Sequence, residues 1–83
     1  MKFTEYFRYT HDRPDRRNIK IEWIERVVAD PEHEIVQSDG RIRRWRRISE
    51  AGDRYLRVIL LEDSETVHNA FFDRSFSEGE DER

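Results

Sequence analysis

The chain has 83 residues, of which 42% are charged and 35% are hydrophobic, and its formal net charge is -3. For a chain of this length we expect one small domain, without a second domain or a large enclosed active site. The absence of cysteine excludes disulfides, thiolate metal sites and thiol nucleophiles. We therefore expect one domain over residues 1–76 and a disordered acidic tail over residues 77–83, in a soluble, cytoplasmic protein without membrane segment, metal or other cofactor.

The N-terminal part predicts one strand and one helix. Residues 3–9 are rich in aromatic side chains and alternate loosely, which predicts a first strand. Pro14 limits the next stretch to a short helical turn or an irregular connection. Over residues 18–29 the apolar residues recur at helical spacing, with Asn18 as the expected N-cap and Asp30-Pro31 as a typical helix end.

The segment after Pro31 predicts a hairpin around Ser38-Asp39-Gly40. If Gly40 forms a one-residue bulge, Val36 faces Ile42, Glu34 faces Arg44 and Glu32 faces Arg46. A two-residue turn would instead place Glu34 opposite Trp45. We favour the bulged register because it pairs opposite charges.

Two further strands complete the sheet. Residues 54–61 form the most apolar segment and predict a central strand, and residues 66–72 predict the last strand. The pattern as a whole predicts an α+β fold, in which an antiparallel sheet of four to five strands has one main helix packed on one face.

An arginine-rich segment is the most specific functional signal. Five of the seven residues over 41–47 are arginine, and Trp45 lies among them. Guanidinium groups bind phosphates and aromatic rings stack on bases, so the segment indicates a nucleic-acid surface. The same arginines could instead be neutralised by the chain's 19 carboxylates. The candidate nucleic-acid-binding residues are Arg13, Arg16, Arg41, Arg43, Arg44, Trp45, Arg46 and Arg47.

Several short motifs follow one another along the chain. They are His11, Arg17-x-Ile19, a helix ending at Pro31, the hairpin, Tyr55-Leu56-Arg57-Val58 and Thr66-Val67-His68-Asn69-Ala70. Over residues 10–73 this order resembles a family of small prokaryotic domains of unknown function that is related to the BrnT and RelE-like toxin superfamily. The resemblance implies a RelE-like α+β fold. For the toxin members it implies a metal-independent endoribonuclease that an antitoxin holds inactive.

The implied chemistry is attack of a ribose 2'-hydroxyl on the adjacent phosphate, which needs a base, an acid and stabilising cations. His11 and His68 are the residue types that can transfer protons, and Arg17 can clamp the phosphate. The chain departs from the resemblance at Pro14 and in the acidic residues 77–83, where BrnT-like toxins continue with a basic segment.

A second hypothesis belongs to a different class. Phe71, Phe72 and Phe76 exceed what one face of an edge strand can bury, which favours a non-catalytic protein-interaction module that acts through a sheet edge and this C-terminal aromatic segment. The expected partners are therefore RNA and an antitoxin-like protein on the first hypothesis, and a second copy of the chain or another protein on the second.

Overall fold

Two helices and five strands make up the computed structural model, which describes residues 1–76. The elements are β1 (Lys2–Phe3), α1 (Glu5–His11), α2 (Ile21–Ala29), β2 (His33–Val36), β3 (Ile42–Ile48), β4 (Arg54–Leu60) and β5 (Thr66–Phe72), with one turn of 3-10 helix (Ser49–Ala51) between β3 and β4. The sheet has the order β1-β5-β4-β3-β2, in which β1 is parallel to β5 and all other neighbours are antiparallel. The predicted α+β class is confirmed, but the sheet is mixed and there are two helices. Residues 77–83 lie outside the described residues.

The first helix replaces most of the strand predicted over residues 3–9, so that prediction is wrong. Thr4 caps α1, since its Oγ1 accepts the backbone N–H of Phe7 at 3.0 Å. Phe7 and Thr10, three residues apart, are buried on one side of the helix. This local capping and helical spacing outweigh the β-propensity of the aromatic residues.

The second helix begins later than predicted. It starts at Ile21 with Lys20 as N-cap and no side-chain capping bond, so the expected cap at Asn18 is wrong. Trp23, Ile24 and Val27 are the buried residues of the helix, at the spacing of one helical face. The helix ends at Ala29, directly before Asp30-Pro31, as predicted.

The hairpin register agrees with the bulged prediction over β2. Val36 faces Ile42 and Glu34 faces Arg44. Glu32 lies before the strand, where its N–H donates to the carbonyl of Trp45 at 2.8 Å and its carboxylate accepts the N–H of Arg47 at 2.7 Å. The predicted pairing of Glu32 with Arg46 is therefore wrong.

Gly40 has a φ of 91°, in the region that side chains rarely adopt. We expect Gly40→Ala to lower the free energy of unfolding by about 1–2 kcal/mol. An added Cβ would lie 2.6 Å from Cγ of Glu62, but Glu62 is exposed and can rotate away. Gly52→Ala is the matched control, because Gly52 has a φ of 74° and open space around it. Urea denaturation should give similar losses for both variants, and a much larger loss at Gly40 would show that Glu62 is held in place.

The sheet has one covered and one uncovered side. Both helices pack on the side we call the helix face, which carries the apolar core of β3, β4 and β5: Ile42, Ile48, Leu56, Val58, Leu60, Val67 and Ala70. The other side, the open face, carries the alternate residues of the same strands: Arg43, Trp45, Arg47, Tyr55, Arg57, Ile59, Asn69 and Phe71. In residues 1–76, neither helix is long and apolar enough to cross a membrane.

Candidate functional site

The arginines of the hairpin do not share one surface. Successive strand residues point to opposite sides of a sheet, so β3 directs Arg44 and Arg46 to the helix face and Arg43 and Arg47 to the open face. Only half of the arginines within β3 can therefore meet a ligand on either side.

The two arginines on the helix face bind the C-terminal end of α2. Arg44 donates to Glu34 Oε1 at 2.8 Å and to the carbonyl of Val28 at 2.9 Å. Arg46 donates to the carbonyl of Asp30 at 2.9 Å and lies 3.4 Å from the Asp30 carboxylate. Cations at a helix C-terminus satisfy its last carbonyls and oppose its negative dipole end. Arg44 and Arg46 therefore hold the end of α2 against the sheet, and neither belongs to the candidate site.

Trp45 is a packing residue of the open face. Its side chain is only 3% exposed, and Phe76 stacks on it with 4.7 Å between ring centroids and 14° between planes. The indole Nε1–H donates to Asp73 Oδ2 at 3.1 Å. Although the ring borders a hollow of the open face, so little of it is exposed that a base could not stack on it.

A row of aromatic rings and guanidinium groups crosses the open face from β3 to β5. Arg57 lies between Trp45 and Phe71, with its Cζ 5.3 Å from each ring centroid. Arg16 approaches the same Phe71 ring to 5.2 Å from the connection between α1 and α2. These are cation–π distances, so the rings hold the cations in place without cancelling their charge.

Amide oxygens fix two further cations of the open face. Arg16 donates to Asn69 Oδ1 at 2.6 Å, and Arg43 donates to Gln37 Oε1 at 2.9 Å. An amide accepts a hydrogen bond but carries no negative charge, so both guanidinium groups keep their full positive charge. Arg47 is exposed and its side chain makes no ion pair within residues 1–76.

Asp73 is the carboxylate that reaches this face. It lies 3.4 Å from Arg57, and the two side chains are 9% and 19% exposed. Burial alone would raise the pKa of Asp73, but hydrogen bonds from Ser75 and Trp45 and the charge of Arg57 hold it below its ordinary value. Burial and the neighbouring charge of Arg43 lower the pKa of Arg57, and Asp73 opposes that shift. Asp73 therefore neutralises Arg57, whereas Arg16, Arg43 and Arg47 form no ion pair with a carboxylate of residues 1–76.

His68 lies in a β-bulge at the end of the same face. Leu60 pairs with Val67 and Ile59 with Asn69, so His68 is the extra residue. Its Nδ1 lies 3.2 Å from Thr4 Oγ1, and its ring stacks on Tyr6 at 4.8 Å. Burial and the charge of Arg41 lower the pKa of His68, which favours the neutral imidazole.

The remaining candidates lie elsewhere. His11 stacks on the core residue Phe7 at 4.9 Å, and its buried Nδ1 has no partner among residues 1–76. Arg13 and Arg17 are exposed in the connection between the helices. The structure thus brings Arg16, Arg43, Arg47 and His68 to one side of the sheet. Arg41, directly before β3, is exposed and lies 3.9 Å from the Asp39 carboxylate. His11, Arg13 and Arg17 have no described contact with that group.

Sequence reasoning missed Arg57, Asn69 and Asp73 as site residues. Arg57 sits in the most apolar strand, and only the strand register shows that it faces Trp45 and Phe71. A hollow of about 240 Å³ opens beside this row, between Ile35, Arg43, Arg57 and Phe76. Within residues 1–76 no group of three or more histidine or carboxylate side chains could hold a metal ion.

Comparisons of the chain with protein-family models, with curated proteins and with solved structures give no match.

Proposed function

We propose that the open face binds the phosphates of RNA. The observation that carries the proposal is the contrast between arginines of the open face and an arginine of the helix face. Arg16 and Arg43 are held by the neutral amides Asn69 and Gln37, whereas Arg44 on the helix face is paired with a carboxylate. Oriented guanidinium groups that keep their charge match the bidentate geometry of a phosphate.

His68 extends the proposal from binding to metal-independent cleavage. The proton of its imidazole can reside on Nδ1 and be donated to Thr4, which leaves Nε2 able to accept the proton of a ribose 2'-hydroxyl. The 2'-oxygen would then attack the adjacent phosphorus and form a 2',3'-cyclic phosphate. The bond to the 5'-oxygen would break, and that oxygen would take a proton from water while His68 later returns its own proton to the solvent. Arg16, which binds the adjacent Asn69, would stabilise the charge that develops on the phosphate. Arg41, whose charge acts on His68, would add to this effect, although Asp39 lies 3.9 Å from it.

The resemblance to BrnT and RelE-like toxins supports this reading and adds a partner to it. An antitoxin-like protein that inhibits such an activity would have to cover the open face or its cations.

RNA binding can be tested with charge-matched variants. We expect the chain to bind labelled single-stranded RNA at about 50 mM salt and to lose affinity steeply as salt rises. Arg16→Gln and Arg43→Gln should each weaken binding and reduce the slope of log affinity against log salt by about 1. Arg8→Gln, at an exposed position of α1, removes the same charge and should bind as the wild type does. Absence of binding at about 50 mM salt, where phosphate contacts are strongest, would contradict the proposal.

Cleavage is tested separately, in the presence of a metal chelator. Wild-type protein and His11→Asn should release fragments that end in a 2',3'-cyclic phosphate, and His68→Asn should not. If His68→Asn still cleaves, His68 has no role in proton transfer. If wild-type protein binds RNA without cleaving it, the binding proposal stands and the catalytic one is excluded.

A further inference from the structure

The outer edge of β2 has no strand paired to it within residues 1–76. Two of its four residues are exposed and apolar, with Ile35 43% and Val36 65% exposed. Proteins usually protect such an edge with lysine, proline or a covering segment, because unpaired backbone groups recruit other strands. β2 itself contains neither lysine nor proline.

The direction of each backbone group of β2 follows from the hairpin. The N–H of Gln37 donates to the carbonyl of Arg41, so the backbone of Gln37 points towards β3. In an antiparallel strand the N–H and C=O groups alternate between the two edges from one residue to the next. Ile35 therefore also bonds to β3, whereas the N–H and C=O groups of Glu34 and Val36 point outwards.

These outward groups are self-complementary about Ile35. A twofold axis at Ile35 places Glu34 of each copy opposite Val36 of the other copy. The two pairs then form four hydrogen bonds, which use every outward N–H and C=O group of Glu34 and Val36 in both copies. An axis at Glu34 would oppose two carboxylates, and an axis at Val36 would pair Glu34 with Ser38, outside the strand. The charge of Glu34 is moreover neutralised within its own chain, by Arg44 at 2.8 Å.

We propose that β2 pairs antiparallel with β2 of a second copy of this chain, with the twofold axis at Ile35. The pairing joins the five-stranded sheets of the two copies into one continuous sheet. Ile35 lies on the open face, beside Arg43 and Trp45, so the open faces of the two copies become one surface with the Ile35 side chains at its centre. The proposal does not depend on RNA binding.

Single cysteines test the register directly, because the natural chain has none. Residues at a non-hydrogen-bonded antiparallel position have Cα atoms about 4.5 Å apart, which a disulfide can bridge. Ile35→Cys should therefore form a covalent dimer under mild oxidation. Val36→Cys faces Glu34 rather than itself, and its two copies lie beyond disulfide reach. Ile21→Cys, at an apolar position of α2 with a similar exposure of 40%, reports random collision.

The oligomeric state of the wild-type protein provides a second test of the pairing. By light scattering over a range of concentrations, wild-type protein should approach twice the mass of the chain. Ile35→Lys places like charges against each other at the axis and should remain monomeric, while Ile21→Lys should dimerise as the wild type does. A wild-type mass of one chain at every concentration would overturn the proposal. Cross-linking of Ile35→Cys no faster than that of Ile21→Cys would overturn it as well.

Discussion

Replacement of Trp45 by alanine will lower the free energy of unfolding by about 3–5 kcal/mol. The indole is 3% exposed and packs against both Phe76 and the Arg57 guanidinium. It also donates a hydrogen bond to Asp73, so its removal leaves a cavity and takes one hydrogen bond from a largely buried carboxylate. Small domains have only about 5–15 kcal/mol of stability, so the variant should be close to unfolding at room temperature.

Trp45→Phe separates the ring from its hydrogen bond. A phenyl ring keeps the stack on Phe76 and loses the donor to Asp73, so its loss should be clearly smaller than that of the alanine variant. Urea denaturation followed by circular dichroism measures both. A loss below about 1 kcal/mol for Trp45→Ala would mean that the segment after β5 does not pack on the open face as described.

Asp73→Asn will destabilise the fold and strengthen RNA binding at the same time. The loss of stability should be about 2–3 kcal/mol, because Arg57 is left without its anion in a largely buried position. The affinity for RNA should rise because the substitution removes the carboxylate that neutralises Arg57 on the open face. Glu25→Gln, an exposed position on α2, removes the same charge from the other side of the molecule and should change neither quantity.

The stability effect of Asp73→Asn should depend on pH in a defined direction. The folded-state pKa of Asp73 lies below its ordinary value of 3.8, so ionised Asp73 stabilises the fold above that pH. The gap between wild type and Asp73→Asn should therefore be constant near neutral pH and narrow as the pH falls below about 4. Unchanged RNA affinity in Asp73→Asn at neutral pH would contradict the proposed open-face site, whereas a gap that did not narrow in acid would contradict only the role of Asp73.

The sequence predicted the parts of the fold that local chemistry determines. The turn at Gly40 and the opposite charges of Glu34 and Arg44 fixed the hairpin register. The first helix was also legible in principle, from Thr4 as a cap and from Phe7 and Thr10 at helical spacing, but the aromatic content favoured a strand. The parallel pairing of β1 with β5 joins residues more than sixty positions apart, and no local pattern signals it.

The candidate site was predicted only in part, for a different reason. The alternation of Arg43 and Arg44 between two faces follows from the strand period, and the pairing of Glu34 with Arg44 was anticipated. The stacking of Phe76 on Trp45 was not anticipated, because Phe76 follows the last strand and its position depends on tertiary packing. The amide partners of Arg16 and Arg43 come from distant turns and strands, so their neutral character could not be recognised beforehand.

The extra residue in β5, His68, determines which residues of this strand reach each face of the sheet. Val67 and Ala70 both reach the apolar core although they are three positions apart, which a regular strand does not allow. The insertion turns the consecutive residues His68 and Asn69 to the same outer surface. A one-residue deletion at this point would rotate half of the strand by 180°, burying a polar side chain or expelling an apolar one. Length changes in β5 should therefore be selected against even where single substitutions are tolerated.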